Sequence, residues 1–123
     1  SSFQDPFYPG RYTDIKRPNI VNTPLAAGTD GARFRQAIER DWLPALEQHQ
    51  PDMIFVSAGF DAHRDDPLGG LDLLEDDYRW ISGLVCDAAN TYAEGRLVSV
   101  LEGGYDLQAL ASSVGAHIEM LLQ

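Results

Sequence analysis

Two stretches of this chain set a reactive side chain directly behind an apolar run. Ser57-Ala58-Gly59-Phe60-Asp61-Ala62-His63 continues from Met53-Ile54-Phe55-Val56, and Leu101-Glu102-Gly103-Gly104-Tyr105-Asp106 continues from Arg96-Leu97-Val98-Ser99-Val100. A carboxylate that emerges where the chain leaves a buried strand needs a partner, and a cation is one physical answer. The glycine pair before Tyr105 permits a sharp turn and a close backbone approach to a ligand. The phenol is therefore expected to point into the same cleft as Asp61. Taken singly, Asp61 reads as a turn or capping carboxylate and Tyr105 as a packed loop tyrosine. Asp61-Ala62-His63 can also be read as a ligand pair, because alternate residues of a strand share a face.

These residues need elements to place them. Asn19–Leu25 is a short apolar stretch whose Pro24 marks a strand end or edge. After the break at Ala26–Thr29, Asp30 can cap a helix carrying Phe34, Ile38, Trp42 and Leu46 on one face. Pro44 is expected to bend that helix or end its first part. Met53–Ala58 and Arg96–Leu101 read as parallel strands covered on both faces. Tyr78, Ile81, Val85, Ala88 and Tyr92 recur at helical steps, and Gly95 closes that helix. Leu107, Leu110, Val114, Ile118 and Leu121 mark a terminal helix. The order strand, helix, strand, helix, strand, helix predicts an α/β fold with right-handed crossovers. The first 18 residues, with Pro6, Pro9 and Pro18, read as a loop. Three strands make a thin sheet, which reads as part of a larger one. In such sheets ligands bind beyond the carboxyl ends of the strands, where both reactive segments fall.

Composition narrows the function classes. The 123 residues are 44% hydrophobic and 23% charged, within the globular range. No apolar run is long enough for a membrane span, and the opening residues have neither the basic flank nor the apolar core of a signal peptide. Nineteen acidic against nine basic residues give a net charge of -10, which argues against nucleic acid as a partner. The same charge could favour a cationic substrate, although solubility is explanation enough. Cys86 is the only cysteine, so neither an internal disulfide nor a cysteine-rich zinc site can form, and a reducing cytoplasm is the natural home.

The first segment, with Asp66-Pro67-Leu68-Gly69-Gly70-Leu71 after it, resembles the metal-ligand loop of class II-like histone deacetylases and their bacterial relatives. Leu101-Glu102-Gly103-Gly104-Tyr105 is similar to the catalytic-tyrosine motif of the same histone deacetylase/acetylpolyamine amidohydrolase family. Ser2-Phe3-Gln4 with Pro6-Phe7-Tyr8-Pro9-Gly10 resembles a loop that walls its acyl-lysine tunnel. The resemblance implies an arginase/deacetylase-like three-layer α/β/α fold with a mostly parallel sheet. Residues 1–123 would be the C-terminal portion of a single catalytic domain, and the N-terminal part of that domain its missing partner. It implies zinc-dependent hydrolysis of acetylated amines, from protein lysines or polyamines. Asp61 would be one metal ligand and Tyr105 the catalytic oxyanion donor. Tyr8, Leu68, Gly103 and Gly104 would line the substrate path, and Ser2 and Phe3 would lie near a structural monovalent cation. His63 is expected to be a loop or surface histidine, and the acidic residues 65, 66, 75, 76 and 77 to serve solvation and a helix N-terminus.

The family's other two zinc ligands and its paired histidines belong to upstream motifs that are not in this chain. One aspartate cannot hold zinc for this chemistry, so the chain alone is expected to be inactive. Residues 9–13 and 74–76 also depart from the family pattern, the first at the tunnel rim. Two other readings stay open: a nucleotide-binding module, which Glu102 and Asp106 oppose by their charge, and a catalytically inactive domain kept for protein contacts.

Overall fold

The computed structural model describes all residues, 1–123. Its elements follow the order β1 Ser2–Gln4, β2 Thr23–Leu25, α1 Gly31–His49, β3 Ile54–Ala58, α2 Glu75–Tyr92, β4 Leu97–Leu101 and α3 Leu107–Leu121. β3 pairs with β4 in parallel from Ile54 opposite Leu97 to Ala58 opposite Leu101. The two strands thus end level, and the chain leaves both at the same rim. α2 is the crossover that parallel pairing requires.

Local chemistry explains the helix limits. Asp30 caps α1 by accepting the Arg33 amide at 3.0 Å, which satisfies one of the free donors of the first turn. α2 opens with Glu75, Asp76 and Asp77, a charge placement that the helix dipole favours. Asp77 also accepts the Leu74 amide at 3.0 Å, while its own amide donates to the Leu74 carbonyl at 2.9 Å. At the other end Gly95, at φ +76°, donates its amide to the Ala89 carbonyl. α1 runs through Pro44 to His49 as one element.

Leu25, Phe34, Ala37, Ile38, Phe60, Leu73 and Tyr78 form the core, with Trp42 and Trp80 packed against it. It draws on β2, α1, α2 and the loop after β3, so that loop is anchored from within. Burial of such side chains stabilises the fold by roughly 1.5–3 kcal/mol each.

Three expectations change. Residues 1–18 are not wholly loop, since Ser2–Gln4 pairs in parallel with Thr23–Leu25. A three-residue strand shows no periodicity, and only its backbone partner defines it. The strands form two separate two-stranded sheets, β1-β2 and β3-β4, in place of one sheet of three. Finally, β3 and β4 are not covered on both faces. Phe55 is 71% exposed and Val100 56%, with Ser57 and Val98 open beside them. The helices of this chain shield one side, where Val56 and Ser99 lie, and the apolar opposite side is bare.

Candidate functional site

The shared rim of β3 and β4 is stitched by backbone hydrogen bonds. The Glu102 amide donates to the Ala58 carbonyl at 3.0 Å, and the Phe60 amide to the Gly103 carbonyl at 2.8 Å. Phe60 anchors the first loop inward, its ring 5.1 Å from Tyr78 and 5.8 Å from His117. Asp61 follows directly and turns its carboxylate towards Gly103. A Cβ at position 103 would stand 2.8 Å from Oδ2, 2.9 Å from Cγ and 3.0 Å from Oδ1 of Asp61. A side chain at 103 would thus push the Asp61 carboxylate aside. Gly104 is required by conformation: its φ is +136°, and a Cβ would meet Leu110 at 2.7 Å.

Tyr105 comes next, with 54% of its surface exposed. Its amide donates to Asp66 Oδ2 at 2.8 Å. The following residue, Asp106, caps α3 by accepting the Ala109 amide at 2.8 Å. The N-terminus of α3 already has its anion, which weakens the nucleotide reading.

Asp66 is the residue that sequence reasoning missed, since it sat within an acidic cluster assigned to solvation and helix charge. It is only 8% exposed. Its Oδ1 accepts the amides of Leu68 and Gly69, both at 2.9 Å, while Oδ2 takes Tyr105. Burial pushes this carboxyl up, but the amides of Gly69, Tyr105 and Leu68 together hold it below the usual carboxylate range. The only sequence signal was the Asp66-Pro67-Leu68-Gly69-Gly70 turn chemistry.

Asp61, Leu68, Gly103, Gly104 and Tyr105 are therefore joined in one network of two loops. Tyr8 is 82% exposed, in the segment after β1. Ser2 and Phe3 are half-buried in β1. Gln4 links that strand to the first loop by accepting the Gly70 amide at 2.8 Å.

His63 lies in the loop after β3, as expected, but it is buried there and not at the surface, at 2% exposed. Its Nδ1 accepts the Asp65 amide at 3.1 Å, which puts the proton on Nε2, 3.5 Å from Glu75 Oε1. Asp61 and Ala62 lie in a turn, so the strand argument for a shared Asp61–His63 face fails. No cluster of three or more His, Cys, Asp or Glu side chains forms a metal set. His117 packs inside, its two ring nitrogens 2.7 Å from the Ser82 hydroxyl and 2.8 Å from that of Ser99. Burial lowers its pKa below the ordinary 6.5. A cleft of about 840 Å³ lined by Thr13, Lys16, Pro24 and Asp41 and another of about 670 Å³ between α1 and α2 both lie away from Asp61 and Tyr105. No helix is long and apolar enough to cross a membrane.

Comparison with known proteins bears on this rim. The family profile described as histone deacetylase domain matches residues 1–121. Type-2 histone deacetylase 2 of Dictyostelium discoideum is 39% identical over 129 residues, covering 95% of this chain and 8% of that protein. The histone deacetylase-like amidohydrolase of Pseudomonas aeruginosa is 41% identical over 112 residues, covering 85% and 30%. Among solved structures, the HDA15 HD domain superposes with a TM-score of 0.82 at 29% identity, covering 98% of this chain and 36% of that one. Acetylpolyamine aminohydrolase from Burkholderia pseudomallei gives 0.70 at 26%, covering 81% and 28%. The chain thus spans well under half the length of each of these proteins. With the profile running across both loops and all seven elements, and these structures sharing its parallel α/β framework, the chain belongs to the histone deacetylase family.

Proposed function

We propose that this chain is the C-terminal portion of a zinc-dependent amidohydrolase domain that hydrolyses acetylated amines, whether protein lysines or acetylpolyamines. The observation that carries this reading is the stitched rim, which gathers Asp61, Gly103 and Tyr105 at the carboxyl ends of paired strands. The names of the Pseudomonas and Burkholderia relatives support the reaction class.

Asp61 fits a metal ligand. The nearby loop amides of Leu68, Gly69 and Tyr105 are all taken by Asp66, so none of them neutralises the Asp61 carboxylate. That leaves a half-buried charge whose natural partner is an external cation. One carboxylate is too few, and the remaining ligands belong to the rest of the domain. Zinc, when bound, supplies Lewis acidity and an activated water. Tyr105 serves a different end: its hydroxyl donates a hydrogen bond to the substrate carbonyl oxygen and keeps it as that oxygen gains charge. Gly103 and Gly104 keep side chains out of the path, and Leu68 and Tyr8 are assigned to the lining of the acyl path. Ser2 and Phe3 are assigned to the surroundings of a monovalent-cation site. The cytoplasm suits the lone thiol of Cys86.

The test uses the longer protein that contains this chain. Zinc content, hydroxamate binding and release of acetate from acetyl-lysine peptides and acetylpolyamines are measured. Tyr105→Phe should retain zinc and lose roughly 10²–10³-fold in kcat, as other oxyanion donors do. Unchanged turnover refutes the role of Tyr105. Absence of zinc and of hydroxamate binding in the wild type would favour the inactive binding module.

A further inference from the structure

The roles above leave Asp66 without a task, although it is the most heavily engaged carboxylate at the rim. Oδ1 gathers the amides of Leu68 and Gly69, and Oδ2 gathers that of Tyr105, 39 residues further on. We infer that Asp66 is a positioning residue: it fixes the backbone from which the Tyr105 phenol projects, and with it the Leu68 turn, at one spacing across the rim. The inference rests on the reading of Tyr105 given above.

Three observations carry it. Tyr105 is half exposed, so packing does not immobilise its ring. Gly103 and Gly104 before it have no side chains to pack, and the Gly103 carbonyl is tied to the Phe60 amide two residues short of Tyr105. The nearest restraints act on residue 105 itself and just after it. The Tyr105–Asp66 bond does the first at 2.8 Å, and the Asp106 cap of α3 does the second. The acceptor is a charged carboxylate almost shut off from water, which makes the bond short and strong. Both ends of the bridge are loops that the sheet alone does not hold.

Asparagine at position 66 keeps the shape and removes half the function. Its carboxamide has one acceptor oxygen and one donor nitrogen, while all three surrounding groups are donors. Whichever way it turns, an NH₂ group faces an N–H. Oriented to keep the Leu68 and Gly69 amides, it loses Tyr105.

The experiment is a double-mutant cycle in the longer, zinc-loaded protein, with Asp66→Asn and Tyr105→Phe separately and together. Asp66→Asn should lower kcat roughly 10–100-fold with KM changed by less than about threefold, as a misplacement near 1 Å does. Zinc content should stay at the wild-type level. In the Tyr105→Phe background the same substitution should cost less than about threefold, because the group it positions is gone. With ¹⁵N-tyrosine labelling, the Tyr105 amide resonance should move upfield in Asp66→Asn. Wild-type kcat in Asp66→Asn, or an equal loss in both backgrounds, overturns the inference while leaving the role of Tyr105 standing. Full turnover by Tyr105→Phe alone overturns both. Should Asp66→Asn fail to fold, Asp66→Glu retains the charge one methylene further out and enters the same cycle. A loss undiminished by Tyr105→Phe again overturns the inference.

Discussion

Replacing Gly103 by alanine disturbs Asp61 without substituting it. The added Cβ would lie 2.8 Å from Oδ2, 2.9 Å from Cγ and 3.0 Å from Oδ1, where ordinary contact begins at 3.4 Å. Gly103 is not among the glycines at positive φ, so the backbone accepts alanine and the strain falls on the contact. The carboxylate must retreat by about 0.5 Å, since the repulsive wall is far steeper than the attraction beyond it. A ligand displaced in this way should cost roughly 10–100-fold in zinc affinity, the range seen when a ligand's support is removed. Zinc affinity of the longer protein is measured by chelator competition, beside its thermal midpoint. Gly115→Ala is the control: a Cβ there meets nothing within 4 Å, and alanine favours the helix by about 1 kcal/mol. Gly103→Ala should weaken zinc while Gly115→Ala leaves zinc alone and raises the midpoint. Native zinc affinity in Gly103→Ala would refute the assignment of Asp61 as a ligand at this position.

Three further outcomes follow from the same geometry. Asp61→Ala should lose zinc altogether in the longer protein, which metal analysis after dialysis would detect; native occupancy contradicts the ligand role. Asp77→Ala removes the α2 cap and the partner of Arg35, whose guanidinium reaches the carboxylate at 2.8 Å. A lost cap and a charged pair whose carboxylate is buried and whose guanidinium is partly exposed together should cost about 2 kcal/mol in chemical denaturation, and a loss below about 0.5 kcal/mol would show the contacts to be idle. His117 binds a proton less readily in the folded chain than in the unfolded one, because burial opposes its charge. Its neutral form therefore stabilises the fold above about pH 6.5, and that contribution is lost as pH falls below this value towards the folded pKa. Denaturation midpoints at pH 7.5 and 5.5 should fall more in the wild type than in His117→Gln, and equal falls would rule the histidine out.

The positions of β3, β4 and all three helices were legible because each satisfies a local rule. The apolar runs at 53–58 and 96–101, the fourfold spacing from Phe34 to Leu46, and Gly95 as a stop all act within a few residues of themselves. Asp61 and Tyr105 were singled out by the neighbours along the chain that carry the resemblance. Ser2–Gln4 was not legible, since a strand this short exists only through its pairing with Thr23–Leu25. The burial of His63 within its loop was not legible for a related reason: it is set by Leu73 and Glu75, which return to it only after the loop closes.

The same division holds at the site. Residue order alone determined which side chains are chemically capable, and that each leaves the end of an apolar strand. Which of them meet was decided by the fold: the Ala58–Leu101 register levels the two loops, and only then does Asp66 reach the Tyr105 amide. Hydrogen bonds and close contacts depend on distances of a few tenths of an ångström between residues some forty positions apart. Local pattern carries no information at that separation, and parallel pairing supplies it.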